Sequence, residues 1–297
     1  MYINWSGGLH HAKQSKSDGF WYINDIVLGI IELLKYHNRV LYIDIDVHHG
    51  DGVEEAFYNT NRVMTLSIHR YGDYYFPETG SIDQKGDGLG TNFAVNLPLN
   101  EGIDDEMYVN MFETVAENAR QHYRPSAVVI QWGADSLAWD KLGEFNLTIQ
   151  GHGDCLKYVK NWGLPTLVTG GGGYTINNVA RCWAYETAIW LDQDESIDRE
   201  LPRTTDHEIY GQDNNLFFPK DEALTNKNSL GDINDIVSEW LQTIKDQEIA
   251  PNIPFMELQD STHSIEDIEN NCMINNAKYD DTSQEDYDMQ AENDETE

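Results

Sequence analysis

Aspartate and histidine alternate with apolar residues between positions 44 and 48. The polar members, Asp44, Asp46 and His48, are two positions apart, so in a strand all three would share one face. Grouping two carboxylates and an imidazole in a buried strand costs free energy unless a divalent cation compensates them, and this donor set suits zinc. The segment therefore predicts a metal site. A surface loop after a strand that ends at Ile43 is the alternative interpretation.

A further candidate ligand follows a second apolar run. Residues 126–131 are typical of a buried strand and lead directly to Asp135. Just past the carboxyl end of that strand, Asp135 can complete an Asp-His-Asp set that leaves a fourth zinc position open for water, as catalytic zinc requires. A helix cap is the alternative for a single aspartate in this place.

Paired histidines occur at two other points. His10 and His11 follow a glycine-rich turn, and His48 and His49 are followed closely by Asp51. Imidazoles paired with carboxylates supply general acid–base catalysis at neutral pH. Surface histidines in loops are the alternative for either pair alone.

A glycine run, Gly170 to Gly173, stands before Tyr174. It lacks the Lys-Ser/Thr pair of a phosphate-binding P-loop, and it does not fit the G-x-G-x-x-G spacing. Glycines without Cβ atoms instead allow the backbone to approach a buried group closely. The Tyr174 phenol, placed at the edge of the site, can donate a hydrogen bond to a developing oxyanion.

Alternating helices and strands must position these residues. Helical patterns cover residues 25–37, 104–122, 149–162 and 176–191, and strand patterns cover residues 39–46, 63–69, 126–131 and 165–169. This alternation predicts an α/β domain with a central, mostly parallel sheet flanked by helices. In such sheets, sites lie beyond the carboxyl ends of the strands, where the candidate residues fall.

Charge and composition exclude several classes of function. The 297 residues include 19 Lys and Arg against 52 Asp and Glu, a net charge of −33. Such a chain offers no basic face for direct sequence-specific binding of nucleic acid. No apolar run is long enough for a transmembrane helix, so membrane insertion is not expected. Three widely spaced cysteines without a CxxC motif argue against a disulfide framework and favour a reducing compartment.

The last part of the chain differs in composition from the rest. Residues 257–297 contain 14 acidic residues and one lysine, without apolar periodicity. We therefore expect an acidic, disordered C-terminal tail after a catalytic domain at residues 1–256.

Taken together, these motifs resemble the zinc-dependent histone deacetylases of the class I type, within the arginase/deacetylase fold. The resemblance is carried by five stretches, which are residues 4–13, 19–25, 42–57, 133–137 and 170–176. It extends from Trp5 to about Leu191, and more loosely to about residue 256.

The resemblance implies a role for each matching residue. His11, paired with Asp51, would be the general base for the zinc-bound water, and His10, paired with Asp44, would be the second imidazole. Tyr174 would polarise the acetyl carbonyl. The zinc ligands would be Asp46, His48 and Asp135; the walls of the acetyl-lysine tunnel would be Gly19, Phe20, Phe76 and Leu142; and a potassium site would involve Asp44, Asp46, His48, Ser67 and Ile68.

The match to the family is incomplete at the start of the chain. In the family, further residues precede the stretch that begins at Trp5, so the resemblance implies an N-terminally truncated domain. We expect the strand at residues 39–46 to lose a neighbour and to form an edge of the sheet.

The activity implied is hydrolysis of the acetyl amide of N-acetyl-lysine in histone tails or other acetylated proteins. The resemblance also implies a part in chromatin regulation and transcriptional repression, partners in corepressor-type complexes and a nuclear location, with the cytoplasm as a further possibility. Hydrolysis of acetylpolyamines is a rival within the same chemistry, and an arginase-type two-manganese site is a weaker one. A catalytically inactive subunit that acts as an interaction module is the alternative of another class.

Overall fold

Six strands form one parallel sheet at the centre of the computed structural model, which describes residues 1–202, 207–210 and 214–245. The strands are β1 (Tyr2–Asn4), β2 (Val40–Asp44), β3 (Val63–Arg70), β4 (Ala94–Leu99), β5 (Ala127–Gln131) and β6 (Thr166–Thr169). The α-helices are α1 (Asp25–Leu33), α2 (Asp51–Phe57), α3 (Asp105–Tyr123), α4 (Ile149–Lys160), α5 (Ile176–Trp190) and α6 (Leu230–Lys245). The predicted α/β class, with a parallel sheet flanked by helices, is confirmed.

Strand β2 shows how the sheet is buried on both faces. All five of its residues are buried. Tyr42 joins the apolar cluster that includes Ile26 of α1, whereas Ile43 joins the larger cluster that includes Phe112 of α3. Strands covered on both faces are continuously apolar rather than alternating, which is why this segment was recognisable from its composition.

Strand β2 lies inside the sheet, so the prediction that it forms an edge is wrong. The strand order is β1-β6-β5-β2-β3-β4, and the edges are β1 and β4. Val40 aligns with Val63 of β3 on one side and with Ala127 of β5 on the other. Strands that follow β2 in the sequence supply both of its neighbours, so its backbone groups are paired within this chain.

Several boundaries differ from the predictions. Helix α1 ends at Leu33 and strand β2 ends at Asp44, so Asp46 and His48 lie beyond the strand rather than on one face of it. Four elements were not predicted: β1, α2, β4 and α6. The first two are short, and Pro98 weakens the strand pattern of β4.

The winding of the sheet determines where the loops meet. The chain adds β3 and β4 on one side of β2 and then returns to place β5 on the other side. Asp44 at the end of β2 aligns with Gln131 at the end of β5, so these two strands end level, whereas β3 continues past Ser67 to Arg70. The carboxyl ends of β2 and β5 therefore flank the point where the winding reverses, which is the usual location of a site in this class.

Two predictions concern regions or properties outside the sheet. The domain boundary at residue 256 and the acidic tail at 257–297 lie outside the described residues. Among the helices that the structure does describe, none has the length and apolar character needed to cross a bilayer.

Candidate active site

The three predicted metal ligands converge beyond β2 and β5. His48 Nδ1 lies 3.1 Å from Asp46 Oδ1 and 3.0 Å from Asp135 Oδ2. All three residues are buried, and one ligand atom from each lies within 4.8 Å of the others. Two carboxylates and one imidazole at this spacing fit a zinc ion with room for further ligands.

Side-chain hydrogen bonds explain why β2 stops at Asp44. The Asp46 N–H donates to Asp44 Oδ1 at 3.1 Å, and the His48 N–H donates to Asp46 Oδ1 at 3.0 Å. Aspartate oxygens thus replace strand partners and turn the chain. The Val47 N–H donates to Asp135 Oδ1 at 2.9 Å, which joins the loops after β2 and β5.

The electrostatics of this group also suit a cation. Burial raises the pKa of Asp135 to about 7, with a further contribution from the Asp46 charge. Burial alone would also raise the pKa of Asp46, but His10 and His48 outweigh it and lower that pKa well below its usual range. Burial opposes protonation of His48, yet the two carboxylates raise its pKa to about 10. A divalent cation would compensate the same buried carboxylate charges.

The first histidine–aspartate pair lies beside Asp46, His48 and Asp135, which together are called the metal group below. His10 Nδ1 is 2.8 Å from Asp44 Oδ2, and the Tyr42 hydroxyl donates to the same oxygen at 2.5 Å. Burial opposes protonation of His10, but Asp44 and then Asp46 outweigh it and raise the pKa of His10 to about 9. This imidazole is therefore cationic at neutral pH.

In the second histidine–aspartate pair, the pKa of the imidazole is lowered rather than raised. His11 Nδ1 is 2.7 Å from Asp51 Oδ1, and Lys13 Nζ is 2.6 Å from Asp51 Oδ2. Burial and the charge of His10 lower the pKa of His11 to about 4, despite the Asp51 carboxylate. His11 is therefore neutral at neutral pH, although the ring centroids of the two histidines are only 4.0 Å apart.

The glycine run packs its backbone against the ligands, as the sequence predicted. A Cβ on Gly171 would lie 2.0 Å from Gln131 Nε2, and one on Gly172 would lie 2.0 Å from Asp135 Oδ2. The Gly172 N–H donates to Asp46 Oδ2 at 2.8 Å. Any side chain here would displace a ligand or its partner, which accounts for the glycines.

Tyr174 faces the metal group at the end of this run. Its ring centroid is 6.3 Å from that of His48, at nearly a right angle. Burial raises the pKa of the Tyr174 phenol well above its usual value, with Asp46 and Asp135 adding to the effect. The hydroxyl therefore remains a hydrogen-bond donor at neutral pH.

Two of the four predicted tunnel residues, Gly19 and Phe76, pack against the His11 imidazole. The Phe76 ring packs edge-on against His11, with centroids 4.9 Å apart. A Cβ on Gly19 would lie 2.4 Å from His11 Cδ2, so the backbone at Gly19 packs closely against the same imidazole. Leu142 is exposed, and its carbonyl accepts a 2.7 Å hydrogen bond from the Tyr75 hydroxyl; the loop of Leu142 and Gly143 is called the rim below. The fourth, Phe20, is largely exposed, with a left-handed backbone.

The predicted potassium residues lie on adjacent strands. Asp44 of β2 aligns with Ser67 of β3, and Ile68 follows Ser67 in the same strand. The Asp44 carboxylate is already engaged by Tyr42, His10 and the Asp46 N–H. Backbone carbonyl oxygens, which suit a hard cation, are also available from these residues.

Sequence reasoning missed several residues that hold the site. They are Lys13, Tyr42, Tyr75, Gln131 and Asp140. Tyr42 could have been found, because it precedes Asp44 by two positions on the same face of a strand. Gln131 donates to Asp46 Oδ2 at 2.7 Å from the last position of β5. Tyr75 and Asp140 stand in loops, where no periodicity indicates orientation.

A second buried cluster lies behind Asp135. Ser136 Oγ is 2.8 Å from His152 Nε2, and His152 Nδ1 is 2.6 Å from Glu186 Oε1. Cys182 Sγ lies 3.2 Å from the same carboxylate oxygen. The cluster ties the short 3-10 helix Ala134–Ser136 to α4 and α5, and so supports the ligand Asp135 from behind.

Comparison with known proteins identifies relatives across most of the chain. Histone deacetylase 1 of Homo sapiens is 52% identical over 262 residues, which are 86% of this chain and 52% of that protein. Histone deacetylase HDAC1 of Drosophila melanogaster is also 52% identical over 262 residues, with 86% and 48% covered. Histone deacetylase B of Dictyostelium discoideum is 50% identical over 263 residues, with 84% and 62% covered.

The chain spans about half the length of the first of these relatives. A family profile described as "Histone deacetylase domain" matches residues 1–190, which include every site residue discussed above. The matched region carries the Asp-His-Asp group, both histidine–aspartate pairs and Tyr174. The chain therefore belongs to the histone deacetylase family, and within it to the class I type.

Proposed function

We propose that this chain hydrolyses the acetyl amide of N-acetyl-lysine in histone tails or other acetylated proteins, giving lysine and acetate. The observation that carries the proposal is the convergence of Asp46, His48 and Asp135 with a neutral imidazole at His11 and a protonated phenol at Tyr174. These are the parts of metal-assisted amide hydrolysis.

Zinc is the proposed cofactor, with Asp46, His48 and Asp135 as its ligands. When bound, the ion would supply Lewis acidity toward the acetyl carbonyl and lower the pKa of water. Potassium is proposed as a second, structural ion near Asp44, Asp46, His48, Ser67 and Ile68; the alignment of Asp44 with Ser67 supports it.

The two imidazoles divide the proton transfers. His11 is neutral and held by Asp51, so it can accept a proton from the attacking water. His10 is cationic and held by Asp44, so it can stabilise negative charge and supply a proton toward the leaving lysine amine. Adjacent groups whose pKa values are driven apart are typical of acid–base assignments.

Tyr174 and the tunnel residues would act on the acyl group. The Tyr174 hydroxyl would donate to the carbonyl oxygen as negative charge develops there. Gly19, Phe20, Phe76 and Leu142 would enclose the aliphatic part of the lysine side chain. The net charge of −33 favours encounter with lysine-rich tails.

The proposed setting follows from the relatives. Partners in corepressor-type complexes, a role in transcriptional repression, and a nuclear location with the cytoplasm as alternative all rest on similarity to proteins named histone deacetylase 1. A catalytically inactive subunit that acts as an interaction module is the rival function.

The test is acetate release from an acetyl-lysine histone peptide by the purified, zinc-loaded chain. We expect release that stops on chelation and is lost in Asp135→Asn. Asp198→Asn is the matched control, because it makes the same chemical change at an exposed position, and it should keep the parent rate. A folded chain that binds zinc but releases no acetate would favour the interaction-subunit function instead.

A further inference from the structure

The Asp140 carboxylate accepts backbone hydrogen bonds from two separate segments of the candidate active site. The N–H groups of Leu142 and Gly143 donate to its Oδ1, at 2.9 and 3.0 Å. Those of Tyr174 and Thr175 donate to its Oδ2, at 2.7 and 3.1 Å. One carboxylate thus holds the rim that carries Leu142 and the segment that carries the Tyr174 phenol.

The glycine run before Tyr174 is held by bonds such as Gly172 N–H to Asp46 Oδ2, but the N–H groups of Tyr174 and Thr175 both depend on Asp140. The four glycines before Tyr174 have no side chains to pack, and helix α5 starts only at Ile176. The cap residue Thr175 makes no side-chain bond to the first turn of that helix; its hydroxyl donates to the Trp139 carbonyl at 2.8 Å. Asp140 and its neighbour therefore fix the backbone at Tyr174 from outside the helix.

The same carboxylate holds the rim against the metal group. A Cβ on Gly143 would lie 1.8 Å from the Asp135 carbonyl oxygen, so the rim backbone packs directly on a metal ligand. Charge-assisted bonds from N–H groups to a carboxylate are short and about twice as strong as neutral ones. Holding both segments through one ionised group couples their positions.

We propose that Asp140 is a positioning residue that sets the distance between the Tyr174 phenol and the metal group, and with it the width of the tunnel at Leu142. The role rests on the proposed deacetylase function. Asp140 itself takes no part in proton transfer. Its effect is expected on the chemical step, since a misplacement of about 1 Å can cost about 100-fold in rate.

Two measurements on Asp140→Asn test the proposal, and the first does not use activity. Hydrogen exchange at the Tyr174 and Thr175 amides should be about tenfold faster or more than in the parent, because an amide side chain cannot replace a carboxylate that accepts four N–H groups. Zinc affinity should stay within about threefold of the parent, because Asp135 keeps its own hydrogen bonds. Asp198→Asn should leave both quantities unchanged.

The second measurement is a double-mutant cycle on acetate release. Asp140→Asn should lower kcat by about tenfold or more with a smaller change in KM, and should lower it by less than about threefold in a Tyr174→Phe background. An undiminished loss in that background, or a parent exchange rate in Asp140→Asn, would overturn the proposal. If the parent releases no acetate, the proposed function fails, while the exchange experiment still decides whether Asp140 fixes Tyr174.

Discussion

The Tyr75 ring lies flat against the His48 imidazole, with centroids 5.3 Å apart and planes within 9°. Its hydroxyl donates to the Leu142 carbonyl at 2.7 Å. One side chain thus covers the face of the proposed metal ligand His48 and connects it to the backbone at Leu142. Removing a residue that orients a metal ligand typically weakens metal affinity by about 10- to 100-fold.

Removing the Tyr75 ring should therefore weaken zinc binding. We expect Tyr75→Ala to raise the zinc Kd about tenfold or more, because His48 loses its stacking partner. Tyr75→Phe keeps the ring and loses only the hydroxyl, so its Kd should stay within about threefold. Competition with a chromophoric chelator measures both values. Equal affinities for the two variants would show that stacking on His48 is irrelevant to the metal.

The metal-free protein should lose stability as the pH rises. The pKa values of His10 and His48 are raised in the folded state to about 9 and about 10, from the ordinary histidine value of 6.5. A raised pKa contributes stability that is fully present below pH 6.5 and is lost as the pH rises through the folded value. Urea unfolding between about pH 6.5 and about pH 9 measures this decline. The decline in the free energy of unfolding with pH should be smaller in His48→Asn. A parent protein whose free energy of unfolding does not decline over this range would contradict the raised pKa values.

The cluster behind Asp135 should stabilise the fold. Ser136→Ala leaves His152 Nε2 without the partner it has at 2.8 Å, and an unsatisfied buried nitrogen costs about 1–3 kcal/mol. We expect that loss in the free energy of unfolding, measured with urea on the metal-free protein. Ser196→Ala, at an exposed position, is the control and should change it by less than about 0.5 kcal/mol. A Ser136→Ala loss as small as the control's would mean that the cluster is not coupled to stability.

Replacing Glu78 with glycine should make the protein more stable. Glu78 is exposed and has φ of +66°, a left-handed conformation that costs a residue with a Cβ about 1–2 kcal/mol. Part of the gain in Glu78→Gly is offset by the greater freedom of glycine in the unfolded chain, so we expect a net gain below about 1 kcal/mol. Glu78→Gln keeps the backbone penalty and should show no gain. Thermal unfolding measures the Tm of both variants. Equal Tm values for Glu78→Gly and Glu78→Gln would show that the left-handed backbone at Glu78 does not lower stability.

The sequence predicted the core of the fold because β2 and β5 are nearly continuous apolar runs, and because β3 and β6 are short segments rich in strand-forming residues between helical patterns. It placed Asp135 correctly beyond the end of β5. It was wrong to place Asp46 and His48 on one face of a strand, because β2 ends at Asp44, where aspartate side chains compete for backbone N–H groups. It also misjudged the position of β2 in the sheet, because strand order depends on pairing between segments far apart in the chain. The catalytic and metal roles of these residues stay predictions until the experiments above are done.

Loop residues were beyond sequence reasoning for a different reason. Tyr75 and Asp140 each contribute one side chain whose direction in a loop cannot be predicted from hydrophobic periodicity or from composition. Both are held by partners remote in sequence, such as Leu142 for Tyr75 and Tyr174 for Asp140. Only the packed structure brings such pairs together.

The location of the metal group at the reversal of the sheet has a consequence for how the protein matures. His48 and Asp135 are 87 residues apart in the chain, and they meet only after β5 has paired with β2. Contacts of such large sequence separation form slowly, because loop-closure entropy must be overcome first. Unlike a zinc finger, whose ligands are neighbours and whose folding needs the metal, this chain would acquire its ion late in folding, as a final step on an assembled sheet.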